Sequence, residues 1–162
     1  MSRATRWAAL VLAAAGVTAL AALPSAASAD GEVGGPLLRS GLVGSTPSPV
    51  GPTLFGVTPG NAPWVVARGR VSVDRDGEFE LQVRGLVIPI APFNGTNPVP
   101  TLSASLFCNG SSTPAATTGT VPFDPAGNAS IETTVTLPAT CLAPAVLVHP
   151  NAVTSRYIAA NG

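Results

Sequence analysis

The chain has 162 residues, with eight arginines and no lysine against eight acids, a formal net charge of zero at pH 7, and 46% hydrophobic residues. So even a balance exerts no long-range pull on nucleic acid or an anionic lipid surface. The single histidine is too few for an imidazole-rich copper or zinc centre.

In chain order, Arg3 and Arg6 precede an apolar run from Ala8 to Leu23. Pro24 breaks the run, and Ala27-Ser28-Ala29 supplies the small residues that a signal peptidase accepts. Residues 1–29 therefore match a signal peptide, which predicts a secreted protein, extracellular or loosely associated with the cell wall. The run is short and leads straight into a cleavage site, so a cleaved leader is preferred to a membrane anchor, and no membrane partner is expected after cleavage. Residues 30–63 hold eight glycines and six prolines. No helix survives that density, because proline removes amide donors and glycine costs backbone entropy. An irregular N-terminal arm is expected there, laying Leu37, Leu42, Leu54 and Val57 partly on the domain that follows.

From Trp64 the pattern turns to period two. Val65, Ala67, Val71 and Val73 share one parity, and after a turn Phe79, Leu81 and Val83 alternate with Glu78, Glu80, Gln82 and Arg84. This is a hairpin with one dry and one wet face, with Gly69 and Gly85 marking bulges or bends. Leu86 to Ile90 continues as a short apolar stretch, Ala91 to Pro100 reads as a loop, and Thr101 to Cys108 alternates again. Thr117–Phe123 and Asn128–Leu137 are predicted to form a second hairpin, followed by strands at Ala145–His149 and Ser155–Ala160. About seven short strands with no helical stripe argue for a single all-β domain over residues 64–162. An antiparallel, Ig-like β-sandwich is the expected form, and a small barrel is the alternative.

Cys108 and Cys141 form an even count in a chain expected to be exported, and so predict a disulfide. Closing a loop of about 33 residues should stabilise the fold by roughly 3–4 kcal/mol. The segment Asp74-Arg75-Asp76-Gly77-Glu78 crowds three carboxylates around a glycine and invites a calcium reading. Its echo, Val121-Pro122-Phe123-Asp124-x-x-Gly127, lies 50 residues on and keeps the aspartate and glycine but not Asp76 or Glu78. What both copies share is turn chemistry, and the first lacks the spacing of an EF-hand, so no metal site is assigned. His149 ends an apolar strand, and no GxSxG elbow accompanies it. No catalytic residue and no cofactor are expected. Trp64, Phe93 and Phe107 fall on the wet parity or in loops; with His149 they are the surface candidates for a ligand platform, although core filling is the commoner fate of such aromatics.

The segments FGVTPGNAPWVVARGRVSVDRDGEFELQVRGLVIP, TLSASLFCNG and SIETTVTLPATCLAPAVLVHPN, with the closing YIAANG, resemble a family of small exported actinobacterial proteins. The apolar strand ending in a histidine and followed by YIAA is also similar to chordin-type (CHRD) sandwich domains, whose fuller histidine pattern is missing. The first resemblance implies export and a single domain and brings no activity with it. The resulting expectation is an exported, non-catalytic binding or structural module with a cell-wall or extracellular ligand. The alternatives are a secreted hydrolase built on His149 and a protease inhibitor presenting the loop Ala91–Pro100.

Overall fold

The computed structural model describes residues 35–162; the expected signal peptide lies outside them. The described residues contain eleven strands and no helix: β1 (Pro36–Gly44), β2 (Thr58–Pro59), β3 (Arg68–Asp74), β4 (Glu78–Arg84), β5 (Thr101–Phe107), β6 (Ala116–Thr117), β7 (Val121–Pro122), β8 (Ala129–Thr134), β9 (Ala145–Pro150), β10 (Arg156–Tyr157) and β11 (Ala159–Asn161). The all-β expectation holds. The strands do not divide into two separate sheets, however. They form one antiparallel sheet in the order β6-β5-β9-β11-β1-β3-β4-β8, with β7 also on β5, and β10 and β2 make a small parallel pair apart from it.

The sheet curls because β1 belongs to two neighbourhoods. Its first part, Pro36 to Gly41, pairs with β3, and its last three residues, Leu42 to Gly44, pair with β11. The strands on either side of that switch bring their inner faces together. Val71, Val73, Phe79, Leu81, Val83 and Ile131 from one half meet Leu102, Ala104, Leu106, Val146, Val148 and Ala159 from the other in a single core. At the far edge the turn after β7 leads directly into β8, and the Asp124 amide donates to the Asn128 carbonyl at 3.2 Å. The second expected hairpin is thus opened: β7 pairs with β5 and β8 with β4, so one turn joins the two ends of the curl.

The span expected to be an irregular arm contains β1, a nine-residue strand near the middle of the sheet. High glycine and proline content excludes a helix without excluding a strand. Pro36 sits at the first strand position, where its missing donor is tolerated, and Leu42 is buried between two neighbours.

The two Asp-x-x-Gly segments form the same turn. The Gly77 amide donates to the Asp74 carbonyl at 3.0 Å, the Gly127 amide to the Asp124 carbonyl at 2.9 Å, and φ is 93° and 79° at the two glycines. Their relation extends to the sheet. Leu81 and Ile131, equivalent in the 50-residue echo, are direct partners in the β4·β8 ladder, so a local pseudo-two-fold passes between them. Each turn glycine then caps one end of that ladder. The Gly77 carbonyl accepts from the Val135 amide at 2.8 Å, and the Gly127 carbonyl accepts from the Leu86 amide at 3.0 Å. A Cβ on either glycine would overlap the backbone of that partner.

Cys108, just past β5, is bonded to Cys141 in the segment between β8 and β9, with Cα atoms 4.8 Å apart. The disulfide pins the exit of β5 to the segment entering β9, beside the ladder pair Phe107 and Ala145 and the Asn109 amide donating to the Leu142 carbonyl at 2.7 Å.

Candidate ligand-binding face

The two faces of the curl differ in what covers them. Outside β5 and β9, the residues Ser103, Ser105, Phe107, Leu147 and His149 are all buried. Val57, Tyr157, Leu54 and Phe55 pack over this side as a second apolar cluster, and Phe55 stacks on Phe107 at 4.8 Å between ring centroids. The Tyr157 hydroxyl donates to the Pro52 carbonyl at 2.7 Å, and burial pushes its pKa up.

This cover decides the fate of the surface candidates. Phe107 does lie on the face of β5 opposite the main core, yet it is enclosed. His149 is fully buried on the same side. Its Nδ1 lies 2.6 Å from the Arg156 carbonyl, so Nδ1 carries the proton, and Nε2 is buried without a partner. Burial lowers its pKa, against a smaller upward pull from the Arg156 carbonyl. Ser103, its cross-strand neighbour, donates to the Asn151 carbonyl at 2.6 Å. A histidine–serine pair is therefore present, but both side chains are enclosed and the serine proton is already engaged.

Trp64 is also in the core, stacked with Phe123 at 6.4 Å. The parity count fails upstream of β3 because the Ala67 amide is shared between the Arg84 and Gly85 carbonyls, at 3.2 and 3.3 Å, with Gly85 at φ 63°. The pairs Arg68↔Arg84 and Val65↔Val87 on either side keep one register, so neither strand has an extra residue; both leave the period-two pattern together at a kink around Ala67 and Gly85, which reverses the side chains that face inward. Val65 is consequently 46% exposed while Trp64 is buried. Phe93 is half-buried against the core. The four candidates do not meet on an exposed concave surface.

The loop Ala91–Pro100 is held by Asn97, which sequence inspection passed over. Asn97 is buried; its amide donates to the Val99 and Asp124 carbonyls at 2.7 and 2.9 Å, and its Oδ1 accepts from the Val99 amide at 2.8 Å. Nothing local in the sequence distinguishes it from the exposed asparagines nearby, because its distant partners, the Asp124 carbonyl and the Pro125 carbonyl that accepts from its backbone amide at 2.9 Å, come from the turn after β7.

The outer face of β1, β3, β4 and β8 has no such cover. Register places Arg39, Ser72, Glu80 and Glu132 in one row across the four strands, and Gly41, Arg70, Gln82 and Ser130 in the next. Arg68 stands opposite Arg84 in the row beyond. Every ionised side chain of the described residues lies on this face or on the β3–β4 turn, except Arg156 and Asp124. Their signs are segregated. Arg68, Arg70 and Arg84 gather at one end with no acid among them, and Asp74, Asp76, Glu78, Glu80 and Glu132 lie toward the other, where Arg39 shares the row of Glu80 and Glu132 and Arg75 stands in the turn.

A sheet face shaped only for stability would set opposite charges across from one another, since like charges directly opposite are destabilising. Here Arg68 faces Arg84 and Glu80 faces Glu132. Shallow depressions follow the face from end to end. One of about 400 Å³ in the middle is lined by Arg39, Arg70, Glu80 and Glu132 among others, and one of about 370 Å³ by Arg68, Gly69, Arg70, Gln82 and Arg84. At the acidic end, single carboxylate oxygens of Asp74, Asp76 and Glu78 come within 4.8 Å of one another. Asp76 Oδ1 accepts from the Glu78 amide at 3.3 Å, while Asp74 Oδ1 is buried without a partner. In the echo, Asp124 turns both its oxygens on Asn128, one to the amide at 2.9 Å and one to the side chain at 3.0 Å. The Asn128 amide, more than its side chain, holds the Asp124 pKa below the usual carboxylate value.

No family model, no curated protein and no solved structure matches the chain.

Proposed function

We propose that this protein is an exported, non-catalytic binding module, and that the polar outer face of β1, β3, β4 and β8 is its recognition surface. The observation that carries this reading is the pairing of like charges in register on that face, Arg68 with Arg84 and Glu80 with Glu132, at the expense of sheet stability. Binding surfaces commonly accept such a cost, because electrostatic complementarity to a partner sets specificity and on-rate. The disulfide is compatible with an oxidising, extracellular setting. The enclosure of His149 and Ser103 speaks against a hydrolase built on that histidine.

The test is capture of cell-wall and culture-supernatant components on the immobilised protein, comparing wild type with the charge reversals Arg70→Glu and Glu80→Arg. Captured material should be lost on reversal while melting behaviour is retained. Identical capture by all three proteins would remove this face from the function.

A further inference from the structure

We propose that Arg68, Arg70, Arg84 and Gln82 form a binding site for a tetrahedral oxyanion, specifically the phosphoryl groups of a polyanionic chain. The proposal rests on the recognition face argued above and names the ligand class of its arginine end. Arg68 and Arg84 are direct partners in the β3·β4 ladder, and Arg70 and Gln82 form the adjacent pair on the same face. All three arginines are exposed, and together with Gly69 and Gln82 they line one depression of about 370 Å³ whose walls include no carboxylate.

Directly opposed side chains in an antiparallel pair have Cβ atoms about 5 Å apart, and diagonal ones about 7–8 Å apart. Three guanidinium groups are therefore within reach of one small anion. A bound anion would offset the repulsion that the register imposes on Arg68 and Arg84. The number of donors selects the geometry of the ligand. One guanidinium fork saturates a planar carboxylate, whereas a phosphate presents several oxygens in different directions and can engage several forks together. Gln82 adds a neutral amide donor between the charges. The depression is open, so a single phosphate gains little there, and useful affinity comes from a chain presenting many such groups.

The acidic end lies two residues along each strand, from Ser72 and Glu80 onward. It repels a polyanion, so the chain should cross the arginine end and be kept off the β3–β4 turn.

The experiment is an amide-resolved NMR titration of the folded protein with pyrophosphate and with linear polyphosphate at low ionic strength. Citrate and poly-glutamate serve as carboxylate counterparts. Shifts are expected at Gly69, Arg70, Gln82 and Arg84, with polyphosphate binding more tightly than pyrophosphate. Arg70→Gln or Arg84→Gln should weaken binding about tenfold, the effect of one lost charge-assisted hydrogen bond, and Arg75→Gln should leave it unchanged. Equal affinity for the carboxylate probes would overturn the phosphate assignment. Shifts elsewhere, or none, would overturn the site. Salt-sensitive self-association without phosphate binding, abolished by Glu80→Gln, would assign the arginines instead to the acidic end of a second copy. If the site fails while charge reversal still abolishes capture of wall or supernatant material, the recognition face stands without this ligand. If capture is also insensitive, both fall.

Discussion

The two halves of the curled sheet use the same strand chemistry to opposite ends. In the half built on β5 and β9 both faces are covered, and the outer one holds Phe107, Leu147, two serines and a histidine, all buried. In the half built on β3, β4 and β8 the inner face is equally apolar, but the outer face is open and carries nearly all the ionised groups of the described residues. Residues 51–60 and β10 make the difference, because they lie over one half only. Covering a face converts its polar residues into structural ones that must find partners inside the protein. Leaving a face bare frees its charges for something outside. The contrast is why the binding proposal attaches to β3, β4 and β8 and why His149 is read as part of the scaffold.

Perturbations of the covalent staple beside the covered half should have the largest effects. Replacing Cys108 and Cys141 together by alanine should cost about 3–4 kcal/mol, the loop-closure value for this separation, measured by urea unfolding. A loss below about 1 kcal/mol would mean that the staple between β5 and β9 is idle in the folded protein. The turn glycines come next. Gly77→Ala and Gly127→Ala each put a Cβ on a left-handed residue and into the backbone of a neighbouring strand, so each should cost about 2–3 kcal/mol. Gly119, with open space around it, should tolerate alanine within about 0.5 kcal/mol. Similar losses at all three positions would show that the two turns do not serve as caps of the β4·β8 ladder.

The covered face makes its own pH prediction. His149 has its pKa lowered by burial from 6.5. Below that value the unfolded chain takes up a proton that the folded chain resists, so stability falls as pH drops from about 6.5 and levels off below the folded pKa. A second decline below 3.8 is expected as Asp124, whose pKa is lowered on folding, is protonated. His149→Asn, whose amide can replace the Nδ1 donor to the Arg156 carbonyl, should remove the first decline and keep the second. A first decline that persists in this variant would place its origin elsewhere.

The bare face should respond least, and in the opposite direction. Arg84→Glu turns a like pair into an unlike one opposite Arg68 and should raise stability by about 0.2–1 kcal/mol, the gain fading as salt is added. A destabilisation would indicate that the arginine pair is already satisfied within the fold.

Much of the scaffold was legible because its signals are local. An aspartate and a glycine three residues apart define a turn wherever they stand, which is why the segment at Asp74 and its echo at Asp124 could be matched before any partner strand was known. Strand parity within β3, β4 and β5 was equally readable, and so was the cysteine pair. Apart from β1, read as an irregular arm from its glycine and proline content, the errors came where a distant part of the chain intervened. The kink that Ala67 and Gly85 make together turned Trp64 inward, the 51–60 segment enclosed Phe107 and His149, and β5 drew β7 away from the hairpin its sequence suggested.

By itself the sequence determined that β3, β4, β5, β8 and β9 are strands, where the two glycine turns fall and which cysteines pair, since each depends on the intrinsic geometry of a few neighbouring residues or on a count of two. Only the tertiary structure decided which polar face stays open and which charges stand opposite one another. Period two separates the faces of a strand but carries no record of what will cover them. Like-charge opposition exists only once β3, β4 and β8 are in register.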